Sequence, residues 1–204
     1  MLKNIVFDMG KVVLDYTSWG AVRHYTQDPA MQRKIVNAVF YSTEWMVLDC
    51  GFRSEESCLA KMLTHLDTEE ERELASLAFR DWPLYNIWPN PGMGDFVHEL
   101  KEDGYQIYLF SNASVRMRDH IDRLLPHSED WSGYLFSAEI GYVKPQREFF
   151  TTGYETFGIR PEESFFIDDL PENVAGAAKT GMQGYIFDND IPALKNAITA
   201  FAAK

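Results

Sequence analysis

The chain is poor in several things at once. Its 204 residues include two cysteines, Cys50 and Cys58, too few for a disulfide scaffold, so both are expected as reduced thiols. No apolar run approaches the roughly 18 residues needed to span a bilayer. At the N-terminus Asp8 follows only three consecutive apolar residues, too short for the core of a secretory signal. The expected compartment is the cytoplasm, with no membrane partner. Positive charge is also scarce: 19 Lys and Arg against 31 Asp and Glu leave a net charge of −12. Such a surface is ill suited to gripping nucleic-acid backbones, although a local cation or a metal could still hold one small anion. The rest is ordinary for a folded protein, with 46% hydrophobic and 25% charged residues. The length fits one large domain, or a core with a modest second lobe.

Four short apolar runs stand out: Ile5-Val6-Phe7, Ile107-Tyr108-Leu109-Phe110, Phe165-Phe166-Ile167 and Tyr185-Ile186-Phe187, with Tyr134-Leu135-Phe136 a weaker fifth. They do not alternate, which suits strands buried on both faces. Helical stretches lie between them. One opens at Pro91-Gly92 and closes at Gly104, and a second carries Val115, Arg118, Ile121 and Leu125 up to Pro126. A third opens at Pro145 and ends at Gly158, a fourth runs from Pro171 to Gly181, and the last begins near Pro192. Proline at the start and glycine past the end is the expected asymmetry. Strands alternating with helices predict an α/β fold, a doubly wound parallel sheet.

Residues 17–88 differ, with no strand-like run. Met31, Ile35, Val36, Val39 and Phe40 form one helical stripe. Ser54 reads as an N-cap ahead of Leu59, Met62, Leu63 and Leu66, and Thr68 with Glu71 reads as a capping box. A helical insert thus interrupts an α/β core made of residues 1–16 and 89–204. Trp19, Trp45, Trp82 and Trp88 are read as packing anchors of this insert, and Glu69, Glu70, Glu71 and Glu73 as a solvated helix face.

Three of the apolar strands end in a polar residue, Asp8, Ser111 and Asp168, and Lys144 precedes a helix. Ligands of open parallel sheets bind beyond the carboxyl ends of the strands, so the four should gather at one rim. Any one of them alone reads as a helix cap; together they are chemically complementary.

The segments IVFDMGKVVLDY, IYLFSNAS, GYVKPQREFF and FFIDDLPENVAGAAKTGM, in this order and spacing, resemble the four motifs of the haloacid dehalogenase-like hydrolase superfamily. The insert resembles that family's small helical cap, and the first segment is most similar to the branch that includes bacterial α-D-glucose-1-phosphate phosphatases. The resemblance implies a Rossmann-like core and an Mg²⁺-dependent phosphatase of a small phosphorylated metabolite, with sugar phosphates such as glucose 1-phosphate as candidates. It makes Asp8 the nucleophile and a metal ligand, Ser111 and Asn112 the phosphate-binding pair, and Lys144 the cation that neutralises the phosphoryl group and Asp8. Asp168 and Asp169 become the acidic metal-binding pair, joined by the Gly10 carbonyl, and Asn173 either orients Lys144 or its loop or is simply a helix-start residue. A monomer or a homodimer is expected.

The chain departs from the family at position 10, where most of these phosphatases carry a second Asp that protonates the leaving group and this one has glycine. A general acid contributes about 10²–10⁴ in rate. Its absence favours leaving groups that need little protonation, such as anomeric or acyl oxygens. Asp15 is near enough in sequence to reach back, but a turn role suits it better. Two competing readings remain. One is a 2-haloacid dehalogenase, which needs no metal and carries uncharged residues where this chain has Asp168-Asp169. The other is a binding or regulatory protein that kept the fold and lost turnover.

Overall fold

The computed structural model describes residues 1–203. Five strands, β1 (Asn4–Phe7), β4 (Gln106–Ser111), β5 (Trp131–Phe136), β6 (Ser164–Asp168) and β7 (Gln183–Ile186), form one sheet in the order β5-β4-β1-β6-β7. Every pair in it is parallel. β1 is central, and all four of its residues are buried. Alternate side chains serve opposite faces. Ile5, Phe7, Ile107, Leu109, Phe165 and Ile167 pack on the side of α6 (Met93–Glu102) and α11 (Ile191–Ala202). Val6, Tyr108, Phe110 and Phe166 pack under α9 (Arg147–Phe157) and against Ala177 of α10 (Pro171–Lys179). The ring series Phe110–Phe149–Phe150–Phe166, with edge-to-face centroids 5.5 to 6.0 Å apart, locks α9 onto the sheet.

After β1 the chain turns back through β2 (Leu14–Tyr16), then enters five helices: α1 (Gly20–Tyr25), α2 (Pro29–Val39), α3 (Thr43–Asp49), α4 (Glu55–Leu63) and α5 (Glu69–Tyr85). It returns through β3 (Ile87–Pro89), which pairs antiparallel with β2. This ribbon corrects the expectation that the segment up to Trp88 holds no strand. Its strands are three residues long, too short for any period to show. α5 carries the reciprocal Thr68–Glu71 capping box, and Ser54 caps α4 by accepting from the Ser57 N–H. Of the insert tryptophans, Trp82 is buried and packs edge-to-face on Trp45, while Trp88 is 43% exposed on the ribbon.

Three further expectations are corrected. Glu71 is not solvated with its neighbours: it is buried, closes the capping box and accepts from Lys34 Nζ at 2.6 Å. Val115–Leu125 is not one α-helix but a 3₁₀ turn over Val115–His120 followed by the single turn α7 (Ile121–Leu124). Arg116, drawn to Glu55 and the Phe79 carbonyl of the insert, fixes that turn through tertiary contacts. The helix read as opening at Pro145 begins two residues later, at Arg147, and the Lys144–Pro145 peptide is cis. Finally, α8 (Ser137–Ile140) is a single turn too short for its sequence to announce.

Candidate active site

The sheet register builds the site. Phe7 pairs with Ile167 on one side and Leu109 on the other, so the next residues of β1 and β6 are Asp8 and Asp168, side by side. The Asp8 N–H donates to the Ile167 carbonyl at 2.8 Å, carrying the ladder one step past the strand. Between the two carboxylates lies the Lys144 ammonium, which donates to Asp8 Oδ1 at 2.6 Å and to Asp168 Oδ2 at 2.7 Å. Ser111 ends β4, buried on the same rim. The four residues far apart in sequence therefore meet at the carboxyl ends of the strands.

Two asparagines hold this arrangement. Asn112 clamps the Lys144 backbone, its Oδ1 accepting from the Lys144 N–H at 2.7 Å and its Nδ2 donating to the Lys144 carbonyl at 3.0 Å. Its side-chain amide therefore positions the lysine loop. Asn173, buried in the first turn of α10, donates to both Asp168 oxygens at 3.0 and 3.1 Å. It orients the carboxylate rather than the lysine, which corrects the expectation for it. The Leu170 N–H also donates to Asp168 Oδ1, at 2.9 Å.

The charges do not balance. Carboxylate oxygens of Asp8, Asp168 and Asp169 lie within 4.8 Å of one another, with a single ammonium among them. Burial would strip Lys144 of its proton, but Asp8 and Asp168 outweigh it and hold its pKa above the ordinary value. Burial pushes Asp8 up to about 7; Lys144 opposes the shift and Asp168 adds to it. Asp169 is raised by burial and then by Asp168. An all-oxygen cluster with negative charge in excess fits a hard divalent cation completed by water or phosphate oxygens. A surface cleft of about 390 Å³ bordered by Lys34, Asn37, Ser42, Glu44 and His65 lies on the insert and shares no residue with this cluster.

The surroundings of Gly10 were not legible in the sequence. Gly10 forms a bridge with Leu14, and its backbone is not left-handed, so the position does not demand glycine. A Cβ there would lie 3.3 Å from Cε1 of Tyr16, whose ring fills the space beside it. Asp15 does not reach back; it faces the Lys11 ammonium at 3.7 Å. Tyr16, the last residue of the first motif, stands beside the position of the missing acid. Burial raises the Tyr16 phenol, and Asp169, Asp8, Tyr41 and Asp49 then raise it further. The phenol is thus within electrostatic reach of carboxylates from both the core and the insert.

The haloacid dehalogenase-like hydrolase family matches residues 2–181, and the chain belongs to it. Flavin mononucleotide hydrolase 1 of Arabidopsis thaliana is 33% identical over 98 residues, which span 48% of this chain but only 40% of that protein. D-ribitol-5-phosphate phosphatase of Bacteroides thetaiotaomicron is 24% identical over 93% of each chain. A HAD family enzyme of the same organism, solved with magnesium and inorganic phosphate, superposes with a TM-score of 0.77 at 20% identity, over 95% of this chain and 99% of that one. No helix among the described residues is long and apolar enough to cross a membrane.

Proposed function

We propose that this protein is an Mg²⁺-dependent phosphatase of a small phosphorylated metabolite that works through an aspartyl-phosphate on Asp8. The observation that carries this reading is the buried Lys144 shared by Asp8 and Asp168, with Asp169 as a third, uncompensated carboxylate. In the first step an Asp8 carboxylate oxygen attacks phosphorus, and the bond from phosphorus to the ester oxygen breaks. The leaving oxygen departs with the electron pair and takes a proton. In the second step water attacks phosphorus and the bond to Asp8 breaks. This frees phosphate, regenerates the carboxylate and splits one hard displacement into two easier ones.

Lys144 neutralises charge on Asp8 and on the transferring phosphoryl group, already desolvated and held by Asn112, so little reorganisation is needed. Ser111 and the backbone N–H groups after β4 hold phosphoryl oxygens. A divalent cation held by Asp8, Asp169, the Gly10 carbonyl and, directly or through water, Asp168 would supply charge stabilisation for the phosphoryl oxygens. The acidic pair disfavours dehalogenation, whose carboxylate substrate would meet three carboxylates. The named relatives hydrolyse phosphate esters of small molecules, which supports the substrate class. With glycine at position 10, sugar 1-phosphates such as glucose 1-phosphate, whose anomeric oxygen leaves readily, are the favoured esters.

The test is phosphate release from a panel of phosphate esters by the wild-type protein and by Asp8→Asn. The reading expects Mg²⁺-dependent release by the first and none by the second. Wild-type rates from Asp8→Asn would overturn it.

A further inference from the structure

The core loop lacks a proton donor, and the insert brings a turn that carries a carboxyl group, Asp49, to the loop after β4. Asp49 is the last residue of α3, in the turn Asp49-Cys50-Gly51 that docks on the core. The Ser137 hydroxyl of α8 donates to the Asp49 carbonyl. Gly51 is left-handed at φ 70°, and a Cβ there would lie 2.1 Å from the Ala138 carbonyl oxygen, so the turn is pressed onto α8. The same Ser137 hydroxyl accepts from the Ala113 N–H at 2.9 Å, which ties the turn that carries the partly buried Asp49 to the loop after β4. In that loop the Ser114 hydroxyl is buried with no hydrogen-bond partner. Across the same space Tyr16 feels Asp49 together with Asp8 and Asp169.

We propose that Asp49 is the general acid of this site: it protonates the leaving-group oxygen in the first step and takes the proton of the attacking water in the second. This rests on the phosphatase reading above. The proton balance is closed: Asp49–COOH gives its proton to the departing alkoxide, and the resulting carboxylate is reprotonated by the water that splits the aspartyl-phosphate.

Proton affinity selects Asp49 over its neighbours. Burial pushes its carboxyl up to about 7, with only the Ser114 N–H opposing, which suits transfer near neutral pH. The Tyr16 phenol, raised above the ordinary 10, gives up a proton poorly. Among the described residues, the charged groups around this turn are engaged elsewhere: Arg116 by Glu55 of α4, Arg118 by Glu139 of α8, Glu44 of α3 by His65, and Arg53 acts on Cys58. The titratable groups that feel Asp49 are Tyr16 and Cys50.

The experiment compares an aryl phosphate (p-nitrophenyl phosphate) with an alkyl phosphate (glycerol 2-phosphate) for wild type, Asp49→Asn and Asp49→Glu. Asp49→Asn should lower kcat/KM, which reports only the step up to leaving-group departure, by about 10²–10⁴ on the alkyl ester while changing it less than about tenfold on the aryl ester, because a phenolate leaves without a proton. Asp49→Glu should recover part of the alkyl rate. The wild-type protein carries a second arm that no misfolding can obscure. Its kcat/KM on the alkyl ester should fall as pH rises through about 7, while kcat/KM on the aryl ester should not show this fall. Equal losses on both esters, no loss on either, or identical wild-type pH profiles would overturn the role of Asp49 alone. No wild-type turnover of any phosphate ester with Mg²⁺ would overturn the phosphatase reading and this inference with it.

Discussion

Two lysines in this protein each hold two carboxylates, with nearly the same distances. Lys144 binds Asp8 at 2.6 Å and Asp168 at 2.7 Å; Lys34 binds Asp67 and Glu71, both at 2.6 Å. What separates them is water: the Lys144 side chain is 1% exposed and that of Lys34 is 40% exposed. The Lys34 group stitches α2 to the start of α5, and solvent screens it. The Lys144 group is three charges taken out of water, with a fourth, Asp169, beside them. Stability alone does not explain such a cluster, since apolar residues of the same volume often do as well. The same ion-pair geometry thus ties two helices together in the insert and, on the proposed mechanism, serves the chemistry in the core.

The comparison can be broken most forcefully at Lys144. Lys144→Met leaves Asp8 and Asp168 adjacent with no cation, and should eliminate turnover and destabilise the fold by about 3–5 kcal/mol, read by phosphate release and urea unfolding. A stable, active variant would mean the cluster is not what the site depends on. Chelation comes next: EDTA should abolish phosphate release and excess Mg²⁺ should restore it, with the insert unaffected.

A smaller effect is expected at Gly10. Its backbone accepts a side chain, and the obstacle is Tyr16, half exposed and able to move. Gly10→Asp should therefore fold, and in the Asp49→Asn background it should raise kcat on alkyl esters. A variant that unfolds would show the ring to be fixed.

The smallest effect belongs to the exposed pair. Lys34→Met should leave kcat unchanged and move the melting temperature only slightly. Hydrogen bonds from Lys34, first, and from the Thr68 and Asp67 backbone pull Glu71 down to about 2 from the ordinary 4.5. A carboxylate depressed in the folded state stabilises above its unfolded pKa, and this is lost as pH falls through the folded one. The pair's contribution should therefore be intact above about 4.5 and fade toward about 2. Thermal melts of wild type and Lys34→Met should converge over that window.

The core was legible because its strands are apolar runs ending in single polar residues. Ile5–Phe7 and Phe165–Ile167 became β1 and β6, and the register then brought Asp8 to Asp168 with no information beyond the pattern. The fifth and weakest run, Tyr134–Phe136, also lies in a strand, β5. β2, β3, α1 and α8 escaped, since they are held by tertiary contacts rather than by any apolar run or period of their own. Glu71 escaped because a run of glutamates hides the one that turns inward. Asp49 carries no motif; its meaning comes from a turn of the insert meeting the loop after β4, which only the folded chain displays. The side-chain partners of Asn112 and Asn173, the Lys144 backbone and the Asp168 carboxylate, are set by tertiary contacts that no motif spells out.

The claim on which everything else depends is that Asp8 forms a covalent bond to phosphorus. The most direct measurement is a rapid acid quench of the Mg²⁺-loaded enzyme during turnover of a phosphate-labelled ester, with the label located by peptide mass spectrometry. The account predicts acid-stable, base-labile phosphate on the peptide that contains Asp8, formed fast enough to precede phosphate release and absent in Asp8→Asn. Turnover in which no labelled protein forms, with a burst of alcohol release showing that an intermediate has accumulated, or label on another residue, would contradict it.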